Sequence, residues 1–513
     1  MVLAGDMETR ASGSVAVAKS MLAALAAVAV GLAFGFSELV AALLRQPSPI
    51  RAIGDVVIDN VPASIKDWAI SVFGVYDKLA LVVGIVVVGL VLGAAVGLTT
   101  RQNLRWAAAA FAGFSVLGAL AAGTDSTASS LGPWVVALAG TGAGIATIRW
   151  LRSSDPTPTG RRQFLKRAGM VAGLGVLFAA SGRALAAQLS RLVAGRDEVI
   201  LPVAGEVVAA PGPNADFRLP HLTPIVVPNA DFYRIDTALV VPQVDLEEWR
   251  LSVTGMVDRP FTISYPELLD LPMVERYVTL SCVSNPVGGE LVGNARWLGV
   301  PLADLLDRAR AQPQAEQLVG VSVDDFTVGF PVAAALDGRQ ALLAVGMNGE
   351  PLPFEHGFPA RLVVSGLYGY VSATKWLREV RLTTWDGFDA YWIPRGWSKE
   401  GPIKTQSRID TPRRRITTGT HPVAGVAWAP NTGIGRVEVQ VDSEEWQEAQ
   451  LSQPLSVDTR VQWRLDYPFE PGAHTIRVRA TDASGIMQPE TPTPVAPNGA
   501  TGWHRVTVSV SEA

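Results

Sequence analysis

Apolar residues occur in long, almost uncharged blocks over the first third of the chain and in short alternating runs over the rest. Four such blocks precede residue 152: Ser20–Leu44, Leu79–Leu98, Trp106–Ala122 and Pro133–Leu151. An α-helix needs about 20 apolar residues to cross the ~30 Å hydrocarbon core of a bilayer. The pattern therefore predicts that residues 1–190 form an α-helical transmembrane anchor of four or five helices.

Glu38 interrupts the first block toward its predicted outer end. An ionisable residue inside a span marks a functional site by default. At this position a carboxylate that reaches interfacial water is the simpler explanation, and both interpretations stay open.

Lysine and arginine are distributed unevenly between the connections of the blocks. They precede the first block, separate the second from the third and follow the fourth, whereas the Gly123–Gly132 connection has none. Because basic loops stay in the cytoplasm, the N-terminus is predicted inside and the four spans run out, in, out and in. Arg45–Lys78 is predicted outside despite its four basic residues, lying partly along the membrane surface.

A second signal follows the fourth block. Gly160–Lys166, with Arg161 and Arg162, precedes the mildly apolar segment Ala168–Ala180 and resembles a twin-arginine export signal. A basic stop after the fourth span is the plainer alternative. Since such a signal exports folded protein, the region after it is predicted to lie outside the plasma membrane. Ala184–Ala186 fits a small-residue cleavage site, but the preceding spans favour a chain that stays anchored.

Beyond residue 200 the pattern changes twice. Residues 200–403 mix strand-like runs such as Trp249–Met256 with short helical runs such as Leu302–Ala311, which predicts an α+β domain. Residues 404–513 carry short alternating runs such as Gly435–Val441, separated by turn residues. About 100 residues of this kind predict an immunoglobulin-like β-sandwich, so the chain is expected to be multi-domain.

Composition narrows the functional classes. The chain is 48% hydrophobic and 18% charged, with a net charge of +6 over residues 1–190 and −10 over the remainder. Neither part is basic enough to indicate nucleic acid binding. The sequence has no GxGxxG or GxxxxGK segment, so nothing supports a nicotinamide or a nucleoside triphosphate. Cys282 is the only cysteine, which excludes an intrachain disulfide.

Cys282 is the first candidate for chemistry. It stands where the apolar run Val278–Leu280 meets a glycine-containing loop, Pro286–Gly289, so its thiolate can reach a metal while the backbone bends away. Soft thiolates are ligands of metals held by sulfur. From this segment alone, a buried and inert cysteine is the more common outcome.

A series of ordered motifs around Cys282 resembles the sulfite oxidase superfamily of molybdenum enzymes. The matching segments lie between residues 220 and 510: Asn229–Arg234, Cys282–Asn285, Asn294–Trp297, Gly299–Leu302, Met347–Pro353, Glu355–Pro359, Arg361, Lys375–Trp376, Trp428–Pro430, Arg479–Asp482 and Gly499–His504. Several spaced motifs in one order are far more specific than any single one.

The resemblance implies a molybdenum ion bound by a pterin dithiolene and by Cys282, with Asn285 and Arg296 as further catalytic candidates. It implies cofactor binding by a second group of residues: Asn229, Tyr233, Arg234, Asp324, His356, Arg361, Thr374 and Lys375. The pterin phosphate suits the N–H fork of arginine and the point charge of lysine. Without the resemblance, Arg361 is readable as a surface ion-pair residue and His356 as a turn residue.

The sequence departs from the family where the substrate is expected. Sulfite oxidases carry arginines directly after the segment that matches Cys282–Asn285, and this chain has Pro286 and Val287 there. A small oxyanion favours cationic, bidentate donors, so sulfite is in doubt as the substrate. Arg296 and Arg395 are the remaining candidates for that charge.

We therefore expect a membrane-bound molybdopterin-dependent oxidoreductase with two-electron or oxygen-atom-transfer chemistry on a small molecule. A reductase of oxidised substrates such as sulfoxides, and a non-catalytic scaffold, are the alternatives. The first 220 residues contain neither histidine nor cysteine, so the usual ligands of haem and iron–sulfur clusters are missing there. A separate electron-transfer partner or quinone is expected. The resemblance also implies that residues 404–513 mediate a homodimer and contribute little to the metal centre.

Overall fold

The computed structural model describes residues 2–62, 65, 68–69, 72–73, 76–99, 104–125, 128–152 and 158–512. The chain divides into two compact units. The first comprises Met1–Leu192 with Ala238–Val240, and the second comprises Val193–Thr237 with Val241–Ala513. The described part of the first unit is helical, whereas the second is built mainly from β-strands.

The long apolar blocks of the first unit form helices, because a helix satisfies all backbone hydrogen bonds within one segment. The described helices are α1 (Val2–Leu43), α2 (Pro49–Asn60), α3 (Asp77–Thr99), α4 (Leu104–Gly123), α5 (Gly132–Arg152) and α6 (Pro158–Ala194). Four stretches within them are long and apolar enough to cross a membrane: Met21–Leu43, Asp77–Leu98, Gly132–Leu151 and Arg162–Gln188. Length and composition therefore support membrane association.

One of the four predicted blocks differs from its observed helix, and one observed span lies outside those four blocks. The third predicted span lies in α4, but the described apolar part, Ala108–Gly123, is shorter than the other four. The prediction left a fifth helix open, and the structure has one with an apolar stretch at Arg162–Gln188, of which only the mildly apolar core Ala168–Ala180 stood out in the sequence. The segment Gly160–Lys166, with its two arginines, lies within the first turns of the same helix.

Glu38 is buried near the end of α1 and does not reach out to solvent, since only 5% of the residue is exposed. Its carboxylate accepts a hydrogen bond from the Ser48 hydroxyl at 2.6 Å and lies 3.4 Å from the Ile50 amide. Ser48 is in turn the N-cap of α2. The interpretation as a residue exposed to interfacial water is therefore wrong. Glu38 instead links the end of α1 to the start of α2 through its hydrogen bond with Ser48.

The first part of the second unit contains two sheets. Its strands are β1 (Arg250–Gly255), β2 (Phe261–Ser264), β3 (Val274–Ser281), β4 (Val292–Pro301), β5 (Gln317–Ser322), β6 (Thr327–Pro331), β7 (Ala341–Met347), β8 (Glu350–Pro351), β9 (Arg361–Val364) and β10 (Leu377–Thr383). One sheet has the order β2-β1-β10-β5-β6, and the other has the order β3-β4-β7-β8 with β9 also paired to β7. Only the β1–β10 pair is parallel among these described strands.

Short helices connect these strands: α7 (Tyr265–Leu269), α8 (Leu302–Ala309), α9 (Ala333–Leu336) and α10 (Gly369–Ser372). Three-residue 3-10 turns lie at Arg196–Glu198, Asn229–Asp231, Phe354–His356 and Ile393–Arg395. Both sheets contribute to one apolar core that includes Leu251, Trp297, Phe330 and Phe358. The predicted mixture of strands and short helices is thus observed.

The remainder of the second unit contains further β-strands. They are β11 (Gln406–Thr411), β12 (Arg415–Thr417), β13 (Gly419–Trp428), β14 (Ile434–Val441), β15 (Gln447–Glu448), β16 (Gln450–Leu451), β17 (Val461–Phe469), β18 (Gly472–Asp482) and β19 (His504–Ser511). They form sheets of order β11-β13-β17-β16 and β12-β19-β18-β14-β15. Alternate residues of both sheets, such as Trp463 and Val478, share a second core. The immunoglobulin-like assignment itself stays a prediction.

Candidate functional site

Strand β3 delivers Cys282 to the edge of its sheet. Ser281, the last residue of β3, pairs with Val292 of β4. The Cys282 amide then donates to the Leu291 carbonyl at 2.9 Å, and the Asn285 amide donates back to the Cys282 carbonyl at 3.1 Å. A tight turn therefore holds the thiol at a fixed position directly after the strand.

The Cys282 thiol is buried in a neutral environment. Its Sγ lies 2.9 Å from the Ser284 hydroxyl, and only 8% of the residue is exposed. Burial raises the pKa of the thiol, while the Ser284 contact acts in the opposite direction. Two tyrosines, Tyr233 and Tyr368, lie close enough for a Cys282 charge to add to the increase that burial causes in their pKa values. Both hydroxyls therefore stay protonated at neutral pH.

The side-chain amide of Asn285 has a hydrogen bond at its oxygen and none at its nitrogen within the described residues. Its Oδ1 accepts a hydrogen bond from the Leu291 amide at 2.9 Å. Its Nδ2 is buried and finds no hydrogen-bond partner among the described residues. A buried donor without an acceptor is costly, so this atom is available to a bound group.

A second cluster surrounds the turn Phe354–His356. The His356 Nε2 lies 3.0 Å from the Asn229 carbonyl. The Arg361 guanidinium donates to the His356 carbonyl at 3.0 Å, and the Lys375 ammonium donates to the Glu355 carbonyl at 3.0 Å. Three side chains with nitrogen donors thus converge on one turn.

Gly357 makes this convergence sterically feasible. Its φ of +109° lies in the region that favours glycine. A Cβ at this position would lie 3.0 Å from the Lys375 Cα and 3.1 Å from the Arg361 Cβ. The glycine therefore lets β9, which carries Arg361, and the connection before β10, which carries Lys375, approach the turn closely.

Arg361 is a buried cation without a counter-ion. Only 5% of the residue is exposed, and it forms no ion pair with a carboxylate within the described residues. Its other neighbour is the Trp297 ring, 5.1 Å from the guanidinium carbon. Burial lowers the pKa of Arg361 to about 10. Buried charges are normally paired, so the site is suited to an anion.

Burial also lowers the pKa values of Lys375 and His356, the two other basic side chains at this turn. Burial lowers the pKa of Lys375 to about 8, although Asp236, at 2.7 Å, opposes the change. Burial, with a contribution from Arg361, lowers the pKa of His356 to about 4. His356 is therefore neutral at pH 7 and donates from Nε2 to the Asn229 carbonyl, because a carbonyl can only accept.

The structure brings most of the other predicted cofactor residues to this cluster. Asn229 accepts a hydrogen bond from the Asn348 side chain at 2.8 Å. Arg234 pairs with Asp236 at 2.8 Å, and Asp236 links it to Lys375. Tyr233 stacks on Phe232 with ring centroids 5.2 Å apart.

Thr374 and Asp324 form local hydrogen bonds, and their cofactor-binding role stays a prediction. The Thr374 hydroxyl is fully buried and donates to the Gly320 carbonyl at 3.3 Å, so it serves the sheet. Asp324 lies in the turn between β5 and β6, where its carboxylate accepts a hydrogen bond from the Phe326 amide at 3.4 Å. Each side chain has a local structural partner.

Arg296 is not brought to Cys282. On β4 it pairs with Tyr277 of β3, which precedes Cys282 by five residues and by roughly 16 Å of strand. Its guanidinium lies 3.5 Å from the Glu275 carboxylate. The strand register thus separates Arg296 from the thiol along the sheet, and its catalytic role stays a prediction. Arg395 donates to the carbonyl of Tyr391 at 2.6 Å.

Sequence reasoning missed contacts from the C-terminal strands to the loop after Cys282. Arg408 donates to the Gly289 carbonyl at 2.9 Å and pairs with Asp410 at 2.7 Å. A Cβ on Gly288 would lie 2.3 Å from the ring of His504. Residues 404–513 therefore support the loop after Cys282, while the expectation that they contribute little to the metal centre stays a prediction. The Trp503-His504 pair was visible in the sequence, but nothing there linked it to this loop.

Comparison with known proteins matches residues 238–392 to a family model described as an oxidoreductase molybdopterin binding domain. The human mitochondrial sulfite oxidase is 29% identical over 343 residues, which cover 56% of this chain and 62% of the human protein. This chain thus spans less than two thirds of that relative. An uncharacterized oxidoreductase of Bacillus subtilis, YuiH, is 32% identical over 157 residues, which cover 31% of this chain and 76% of YuiH.

Among solved structures, the sulfane dehydrogenase SoxCD from Paracoccus pantotrophus superposes with a TM-score of 0.50 at 23% identity. The superposition covers 56% of this chain and 82% of the SoxCD chain. At this level of identity the likeness concerns the fold alone.

Proposed function

Because the chain belongs to the sulfite oxidase family of molybdopterin oxidoreductases, we propose that it performs two-electron or oxygen-atom-transfer chemistry on a small molecule. The chemistry takes place at a molybdenum ion ligated by Cys282, on the outer side of the plasma membrane. The observation that carries this proposal is that the second unit contains both a buried thiol, Cys282, and a buried cation, Arg361, that has no carboxylate partner in the described part of the chain.

The donor set fits a phosphate-bearing pterin. Arg361 offers a guanidinium whose own partners are backbone carbonyls, so an anion would supply its missing charge. Lys375 and Arg234 add two further cations and share a single carboxylate, Asp236. The cluster therefore has an excess of positive charge that a bound phosphate would neutralise. His356 in turn positions Asn229 through its Nε2 hydrogen bond.

Around Cys282 the chain holds the metal and protects it. When bound, molybdenum would supply the two-electron redox chemistry, and Cys282 would hold it as a thiolate. The turn fixed by Leu291 orients the sulfur, and the low exposure of Cys282 excludes water. The free Nδ2 of Asn285 provides a hydrogen-bond donor to the bound group or the substrate.

The surroundings of the thiol favour a neutral substrate as the second candidate. The polar neighbours of Cys282 include Tyr233, Tyr368 and Ser284, whose hydroxyl groups carry no charge at neutral pH. The positions of the family arginines are Pro286 and Val287. A neutral oxidised compound such as a sulfoxide needs hydrogen-bond donors and no cation, so reduction of such a substrate is the alternative to oxidation of sulfite.

The membrane location and partners extend the same proposal. Four apolar stretches support insertion of the first unit, and the distribution of basic residues in its connections favours an outside location for the second unit. We assign re-oxidation or re-reduction of the metal to a separate electron-transfer protein or to quinone. The strands after residue 404 are assigned an immunoglobulin-like, dimer-forming role, which light scattering on the detergent-solubilised protein tests.

The proposal is tested with Cys282→Ser in the full-length protein. Because Cys282 is the only cysteine, the variant removes every thiol and leaves the turn intact. We expect molybdenum content and turnover to be lost while the fold is kept. The matched control is Ser284→Ala, which removes the neighbour of the sulfur and should retain the metal.

A Cys282→Ser protein with full metal content and full turnover would contradict the ligand assignment. Wild-type protein without molybdenum and pterin would instead support the non-catalytic scaffold. Turnover of sulfite with an artificial electron acceptor, compared with turnover of a sulfoxide with a reduced dye, separates the oxidase from the reductase.

A further inference from the structure

Two buried arginines of the C-terminal strands each connect the same two segments of the chain. The first, Arg408 of β11, is 5% exposed. One of its terminal nitrogens donates to the Gly289 carbonyl at 2.9 Å, in the loop after Cys282, and the other donates to the Thr223 hydroxyl at 2.6 Å. Its Nε donates to the Asp410 carboxylate at 2.7 Å, so the guanidinium is held in one orientation.

The second arginine, Arg460, directly precedes β17 and is fully buried. Its guanidinium donates to the Val292 carbonyl at 3.4 Å and to the Pro224 carbonyl. Its backbone amide donates to the Thr279 hydroxyl at 2.9 Å, which ties the start of β17 to the strand that ends just before the thiol. Arg408 and Arg460 thus each have one partner on both segments, and we call the pair the arginine clamp.

The two segments that the arginine clamp joins carry different parts of the site. Residues 282–292 hold the thiol, and the Cys282 amide donates to the Leu291 carbonyl at 2.9 Å. Residues 223–229 lead to the second cluster, where the Asn229 carbonyl lies 3.0 Å from the ring nitrogen of the histidine. The clamp therefore fixes the loop of the thiol relative to the segment that reaches the candidate cofactor residues.

Stability alone does not explain a buried cation at the position of Arg460. The partners of its guanidinium are backbone carbonyls, and its buried Nε has no hydrogen-bond partner within the described residues. Burial, with a contribution from the Arg408 charge, lowers the pKa of Arg460 to about 9. Replacing a buried charged group by an apolar side chain of similar volume is often neutral or stabilising. Proteins typically accept such a cost where a functional geometry has to be fixed.

We propose that Arg408 and Arg460 are positioning residues, which set the place of the Cys282 thiol relative to the cofactor-binding segment. They act through the loop and the segment that they join, and not by contact with the bound group. This inference rests on the ligation of a metal by Cys282 in the proposed function. Because each arginine joins both segments, loss of either should loosen the loop while the two cores stay intact.

The test measures the rate at which iodoacetamide alkylates Cys282 in cofactor-free, full-length protein in detergent. Cys282 is the only cysteine and is buried, so alkylation reports the opening of its loop. Wild type is compared with Arg408→Met and Arg460→Met. Arg464→Met is the matched control, because Arg464 lies on β17 as well but pairs with Asp466 at 2.8 Å.

We expect both clamp variants to be alkylated at least tenfold faster than wild type, since a hydrogen bond from a charged group corresponds to a factor of at least about ten. The faster reaction should be nearly independent of low urea concentrations, because it reports local opening. Arg408→Met combined with Asp410→Asn, which removes the carboxylate left unpaired, should show the same rate. Arg464→Met should react as wild type does.

An unchanged alkylation rate in the folded variants overturns the arginine clamp. A faster rate that rises with urea as steeply as global unfolding shows a purely structural role and overturns it as well. If Arg460→Met does not fold, Arg460→Lys replaces it, because lysine keeps the charge and loses the fork of donors. Arg460→Lys should react faster than wild type, and a wild-type rate would refute the role of Arg460.

The loaded protein separates the arginine clamp from the proposed function. At unchanged molybdenum content, the clamp variants should alter the electron paramagnetic resonance spectrum of the bound metal, and Arg464→Met should not. A wild-type spectrum in both clamp variants overturns the positioning role. Bound metal should also block alkylation of Cys282 in wild type. If loaded wild type is alkylated as fast as cofactor-free protein, the ligand assignment fails, whereas the clamp is still decided by the cofactor-free rates.

Discussion

Replacing Arg361 by methionine separates a cofactor-binding arginine from a structural one. Burial lowers the pKa of Arg361 to about 10, which corresponds to about 3 kcal/mol against the charged form. Its hydrogen bonds to the carbonyls of His356 and Leu362 recover about 1 kcal/mol each. Removing the charge should therefore change the free energy of unfolding of the cofactor-free protein by only about 1 kcal/mol.

The cofactor-loaded protein should respond differently to Arg361→Met. A hydrogen bond from a charged group to a phosphate contributes about 1.5–3 kcal/mol, and about 1.4 kcal/mol corresponds to a tenfold change in affinity. We therefore expect cofactor affinity to fall roughly 10- to 150-fold. Arg361→Lys should lie in between, because it keeps the charge and loses the fork of donors.

The assay compares pterin and molybdenum occupancy with denaturation of cofactor-free and cofactor-loaded full-length protein in detergent. Arg479→Met is the control, because Arg479 pairs with Glu438 at 2.9 Å on the C-terminal sheet and should leave affinity unchanged. If Arg361→Met unfolded the cofactor-free protein, or kept wild-type affinity, the assignment of Arg361 to an anion would be refuted.

Three further predictions concern pH, the loop and export. In cofactor-free protein burial lowers the pKa of His356 to about 4, below its value near 6.5 in the unfolded chain. The free energy of unfolding therefore has its full value above pH 6.5 and falls by up to about 3 kcal/mol as the pH drops toward 4. Urea unfolding at several pH values should show this loss in wild type and not in His356→Gln. Arg408→Met removes the donor to the Gly289 carbonyl. Because one charged hydrogen bond is lost, turnover should fall about tenfold, while the molybdenum content stays unchanged. Unchanged turnover would show that the loop does not need this contact. Replacing Arg161 and Arg162 by lysine should leave the first spans inserted and keep residues 200–513 inside, and external protease access to that region in the variant would contradict the export signal.

The elements that local periodicity encodes were predicted from the sequence. The apolar helices confirm four of the predicted blocks as helical, because a segment in lipid must satisfy its own backbone. The position of Cys282 directly after an apolar strand was also predicted, and β3 ends at Ser281. Whether a segment forms a strand or an apolar helix depends mainly on neighbouring residues, so a single sequence locates most of these elements, whereas the lengths of the spans in α4 and α6 differed from the prediction.

The sequence by itself determined the class of site, since ordered motifs identified the family and its cofactor. Only the tertiary structure decided which of those residues meet. The register of β3 and β4 moved Arg296 away from Cys282, and packing joined Lys375 to Asp236, 139 positions earlier. Packing also placed Arg408 on the loop after Cys282, 119 positions from its Gly289 partner. Such pairs depend on how strands align and how sheets pack, and the periodicity of one segment contains no information about its distance from another.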